Sequence, residues 1–120
     1  MQRKKTAIRK KTSSSKTVQR HVHEFEGSTK LAEEGNDRHN HRFAGVTGQA
    51  IRVGRSHVHE IDLTNTDFLN HFHKLKKIRT GPAIPVGNGK HVHFVTGQTT
   101  LNDGHVHQFK FSTLIQAPLV

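Results

Sequence analysis

The chain has 120 residues and a mass of 13.5 kDa, which is room for one domain and little else. The absence of Cys excludes disulfide staples, thiolate metal ligands, iron–sulfur ligation by the protein and a cysteine nucleophile. The formal net charge of +10 is concentrated at one end: residues 1–20 carry eight Lys or Arg and no acid, whereas residues 21–120 carry eleven against nine Asp or Glu. Hydrophobic residues make up 31% of the chain, with 7 Phe and neither Tyr nor Trp, a lean composition but not that of a wholly disordered chain. No apolar run approaches the roughly 18 residues of a membrane-spanning helix, and none follows the basic start as a secretory signal would require.

Residues 1–20 have no hydrophobic period that would bury a face, so a disordered, flexible basic tail is expected there. A contact with nucleic acid or another polyanion is the reading that competes with plain solvated disorder there. A repeat domain is expected over 21–115, and a C-terminal tail over 116–120.

The body is built on histidine. All 12 histidines fall in His-x-His pairs: His21/His23, His39/His41, His57/His59, His71/His73, His91/His93 and His105/His107. Three copies align as HVHEFEGST, HNHRFAGVT and HVHFVTGQT, each with a glycine and a closing Thr29, Thr47 or Thr99. HVHEIDL from His57 and HVHQFKF from His105 keep the alternation without the glycine, and HFHKLKK from His71 is the loosest copy. Glycines and prolines fall between the pairs, as turns between strands require.

Side chains alternate faces along a strand, so both histidines of a pair and the apolar residue two further on share one face. The expected inner column is Phe25, Phe43, Ile61, Leu75, Val95 and Phe109, extended by Leu63 and Phe111. The opposite face is mixed. The fold class that follows is all-β: a small repetitive antiparallel hairpin or meander domain with its His-x-His strands turned inward.

Two segments compete with that pattern. STKLAEEG at 28–35 carries a helix N-cap signal at Ser28, good for one or two turns. Phe68, Leu69, Phe72 and Leu75 fall on a helical stripe that Asn65 or Thr66 would cap. A helix would split His71 from His73, so a strand over His71–Leu75 is the expected reading. Glycines 27, 45 and 97 are expected at bends, or where no side chain fits.

Twelve inward imidazoles need partners for their ring nitrogens, and the sequence offers few other polar groups to supply them. Metal ions resolve this: each takes one nitrogen of a ring while a carbonyl, carboxylate or water takes the other. All twelve histidines are therefore candidate metal ligands. An all-imidazole set suits a divalent transition metal, Fe(II) or Zn(II) first, with Ni(II), Co(II) or Cu(II) also compatible. Two pairs make a tetrahedral site and three pairs an octahedral one, giving three or two ions per chain. In a parallel homotrimer each pair would meet its symmetry mates, giving six ions on a three-fold axis. That arrangement resembles the metal-threaded needles of certain phage tail fibres, in the pair motif alone.

The runs AEEGNDRHNHRFAGVTGQAI at 32–51, GRSHVHE at 54–60 and GKHVHFVTGQTTLNDGHVHQF at 89–109 resemble the YmaF family of small bacterial proteins over roughly 21–115. The resemblance implies a real domain in a cytoplasmic or spore-associated setting and brings no activity with it.

Repetition favours a non-enzymatic function. A catalytic metal keeps an open position near an acid or base, whereas Glu24 and Glu60 lie on the opposite strand face from their pairs. The chain has neither a phosphate-cradling loop nor a His-Glu-x-x-His helix. Metals that staple the fold are the first expectation and transition-metal storage or sequestration the second. A metal-dependent enzyme, a needle-like trimer and a tail-driven binder are the further alternatives.

Overall fold

The structure, a computed structural model, describes residues 20–118. Apart from Arg20, the basic tail lies outside the described residues. The domain is all-β, with ten strands in chain order: β1 Val22–Ser28, β2 Arg42–Val46, β3 Ile51–Val53, β4 Ser56–Val58, β5 Glu60–Asn65, β6 Lys74–Arg79, β7 Ala83–Gly87, β8 Lys90–Gln98, β9 Gln108–Ser112 and β10 Gln116–Ala117.

Three antiparallel hairpins form the frame: β1–β2, β5–β6 and β8–β9. Short additions extend one end of it, where β3 pairs with β4, β7 with β8, and β10 with β1. Sheet pairing therefore continues past residue 115, with Gln116 opposite His23 and Ala117 opposite Val22.

The core is the expected column. Phe25, Phe43, Ile61, Leu75, Val95 and Phe109 are all buried, one from each frame strand, with Ile78 and Phe111 packed against them. Register explains the fit, because phenylalanines face smaller residues across the β1–β2 and β8–β9 hairpins. Phe25 lies opposite Gly45 and Phe43 opposite Gly27, while Phe109 lies opposite Gly97 and Phe111 opposite Val95. A Cβ at Gly45 would stand 2.8 Å from the tip of the Phe25 ring, and one at Gly97 would stand 3.0 Å from Phe109. These glycines sit within strands where no side chain fits, rather than at bends.

Leu63 departs from the expected inner column and is 53% exposed. The β5–β6 hairpin carries one more residue on each strand between its core residue and its closing threonine than the other hairpins do. The additional pair, Asp62 and Lys77, face each other without joining the ladder. Lys77 adopts φ 55° there, and the two side chains form a salt bridge. The insertion rotates Leu63 outward and leaves Thr64 inside, opposite Leu75.

Neither helical signal produces an α-helix. Residues 28–35 end β1 and lead into a single 3₁₀ turn at Gly35–Asp37. The apolar stripe at 67–75 remains extended or bent, and β6 begins only at Lys74. His71 and His73 nevertheless keep the same-face alternation that the strand reading required.

Candidate metal centres

Strands in a hairpin run in opposite directions, so every hairpin presents one histidine pair at each of its ends. Consecutive pairs therefore alternate between two ends of the frame. His21, His23, His57, His59, His91 and His93 gather at one end, and His39, His41, His71, His73, His105 and His107 at the other. We call these the A and B clusters. Within each, one ligand nitrogen per ring lies within 4.8 Å of every other. Within the chain the grouping is six and six rather than three sets of four.

The nitrogens that converge are Nε2. Contacts between them measure 3.1–3.2 Å in the A cluster, from His21 to His57 and His59 and from His91 to His23 and His57. The B cluster shows the same spacing, for example His39 to His71 and His107, and His105 to His73. Rings pack edge to face around each centre. In A, the pairs without ring contact are His21/His93, His23/His57 and His59/His91; in B they are His39/His73, His41/His105 and His71/His107. Three opposed pairs with all other rings adjacent describe an octahedron. An octahedron with edges of this length has its centre about 2.2 Å from each nitrogen, close to the reach of a metal–imidazole bond.

Hydrogen bonding at the other ring nitrogen settles which atoms carry protons. The second histidine of each pair donates from Nδ1 to a backbone carbonyl on a neighbouring hairpin: His23 to Leu114 at 2.8 Å, His59 to Gly48 at 2.9 Å and His93 to Gly81 at 2.9 Å. In B, His41 donates to Asp67 at 3.1 Å, His73 to Thr100 at 3.0 Å and His107 to Lys30 at 3.0 Å. A carbonyl only accepts, so the proton is on Nδ1 and each neutral ring aims a bare Nε2 lone pair inward. The buried Nε2 of His93 has no hydrogen-bond partner at all.

Burial makes protonation an unfavourable way to fill the centres. It is the leading cause that lowers His59 to about 3, and His91, His93 and His107 to about 4. Neighbouring imidazoles add repulsion, while the carbonyl bonds of His59, His93 and His107 oppose the shift. His21, His23, His41, His57 and His73 are also lowered, again chiefly by burial. Neutral imidazoles with convergent lone pairs form a donor set for a divalent transition metal, and both clusters could hold one.

Six buried threonines lock the strands that carry the ligands. The backbone N–H of His23 donates to Thr47, His41 to Thr29, His59 to Thr80, His73 to Thr66, His93 to Thr113 and His107 to Thr99, all at 3.0–3.1 Å. The residue after each threonine then spans to the next hairpin. Leu114, for example, donates its N–H to the Glu24 carbonyl and accepts the His23 Nδ1–H. Thr29, Thr47 and Thr99 are visible in the repeat, whereas Thr66, Thr80 and Thr113 are not. Thr113 keeps the regular spacing but follows Phe111 where other copies have glycine. The additional residue in β5 and β6 displaces Thr66 and Thr80 by one position.

A family model described as "Spore germination protein GerY/YamF", YmaF, matches residues 18–115. No curated protein matches, and no solved structure does.

Proposed function

The chain belongs to the YmaF family, and we propose that it is a non-enzymatic metal-binding protein whose fold is stapled by two divalent transition-metal ions. Each ion takes three His-x-His pairs of the same chain as ligands. The observation that carries this reading is the convergence of six imidazole nitrogens, all within 4.8 Å of one another, at each centre, with the inner histidine of every pair holding its proton on Nδ1. Without a cation such lone pairs repel one another in a buried site.

A six-imidazole octahedron suits Fe(II), Co(II) or Ni(II). It suits Zn(II) less, since zinc in structural sites is almost always tetrahedral, and Cu(II) prefers tetragonal geometry. Full coordination by protein leaves no position for a substrate, which supports a structural role over a catalytic one. The two centres also cap a core of only six apolar side chains, as metal staples do in small domains. Sequestration of the same ions is the second reading, favoured by the partial exposure of outer histidines in both clusters, His21, His57 and His91 in A and His39 and His71 in B. The family description supports a spore-associated setting. Among the described residues no helix is long and apolar enough to cross a membrane. A polyanion contact through residues 1–20 rests on their eight unopposed basic residues.

Elemental analysis of untagged protein purified without metal-affinity resin, combined with its absolute mass in solution, tests the proposal. Two tightly held ions per 13.5 kDa chain are expected, and a folded, metal-free protein contradicts it. His93→Ala is expected to lower metal content and melting temperature together; no change in either would rule out a structural site there.

A further inference from the structure

The two centres are alike in their ligands and opposite in their surroundings. The cavity at the mouth of the B cluster is lined by the acidic residues Glu33, Asp37 and Asp103, and by Asn70. Arg38, on the same loop as Asp37, does not line it. The cavity at the mouth of the A cluster is lined instead by Arg20, Arg52 and Arg55, with no acid among them. A pseudo-symmetric frame thus ends in an anionic rim around one centre and a cationic rim around the other.

The outer histidines differ as well. In B, all three have an oxygen for Nδ1: His39 meets the Asp37 carbonyl at 2.6 Å, His71 the Asn70 side-chain oxygen at 2.7 Å, and His105 the Asp103 carbonyl at 3.1 Å. The Asp103 carboxylate also stands 3.6 Å from His71 Nδ1. In A, Nδ1 of His21, His57 and His91 has no such bond to a protein group among the described residues. Asn70 and Asp103 hold left-handed backbone at φ 54° and 55°, which places their oxygens at the B rings. Acceptors on the far side of an imidazole fix its tautomer, orient it and raise its basicity, and removing one such group typically weakens metal affinity 10–100-fold. Rim charge acts in the same direction, drawing a cation toward B and repelling it from A.

Building on the proposed metal-binding function, we propose that the two centres are inequivalent: B is the tight, first-filled site, and A is the weaker site from which metal exchanges. The B ion then belongs permanently to the fold, and the A ion reports metal supply.

Graded chelator competition on the Co(II)-loaded full chain, with cobalt counted by elemental analysis, tests this. One ion is expected to leave at least tenfold earlier in chelator concentration than the other. Asn70→Gly keeps the left-handed backbone while removing the His71 acceptor, and Asp103→Asn keeps the backbone carbonyl while removing the charge. Each is expected to weaken only the late-leaving ion, by about tenfold, while Arg52→Gln together with Arg55→Gln delays the early one. Circular dichroism checks that each variant remains folded before metal is removed. Loss of both ions in one step, or weakening of the early ion by Asn70→Gly or Asp103→Asn, overturns the inequivalence and leaves the metal-binding function standing. A folded chain that takes up no cobalt overturns both.

Discussion

At His107 every polar atom has a single destination. Its backbone N–H goes to Thr99, its Nδ1–H to Lys30, and its Nε2 to the centre it shares with His39 and His105. The same arrangement recurs at the second histidine of every pair, so each threonine hydroxyl helps hold the backbone that carries a ring. Thr113→Val conserves shape but leaves the buried His93 N–H without an acceptor, and is expected to cost about 1–3 kcal/mol. Chemical denaturation measures this, and a loss below about 0.5 kcal/mol would show that the hydroxyl has no such role. Titration gives a second outcome at this scale. His59 is lowered to about 3, and His91, His93 and His107 to about 4, from 6.5. The unfolded chain therefore binds more protons than the folded one once the pH drops below about 6.5. Stability is expected to be full above that value, to fall as the pH drops toward 4, and to level off near 3. Metal ligation pulls the same way, because only the neutral ring coordinates. A pH-independent melting temperature between 7 and 4 would contradict this.

Among the elements, the hairpins show what was legible in the sequence and what was not. The period-two alternation placed six core residues correctly because one strand face is buried along its whole length. It failed at Leu63, where one inserted residue reverses the faces of everything that follows. The helical stripe at Phe68, Leu69 and Phe72 was misleading for a related reason: the neighbouring histidines must face one centre together, and that requirement overrides local propensity. The partition into two clusters was open at the level of sequence, since pair spacing does not say which pairs meet. The alternating strand direction of three hairpins decides it. Cross-strand fit gives the prediction at this scale. Gly45→Ala would set a Cβ 2.8 Å from Phe25 and 2.9 Å from Thr64, and is expected to destabilise by about 1–3 kcal/mol. Gly48→Ala, whose Cβ would meet nothing closer than 3.6 Å, is expected to be near neutral. Equal effects of the two would remove the steric account of the in-strand glycines.

For the whole molecule, the consequence of the alternating pairs is topological. The A cluster joins residues from His21 to His93 and the B cluster residues from His39 to His107, so the two closures overlap along most of the domain. A single cut between histidine pairs, in the 32–38 loop or the 88–89 turn, would leave each fragment holding ligands to at least one centre. On the proposed function, a domain loaded with two ions would be a clasp with two rivets, in which backbone continuity is dispensable once both are in place. Protein nicked by limited proteolysis is expected to elute as one intact particle and to separate into fragments only when a chelator is added. Fragments that part while both ions remain bound would show that the centres do not fasten the chain. Such a fastening would also be ordered during synthesis, since the A ligands are complete once His93 has emerged and the B ligands only once His107 has.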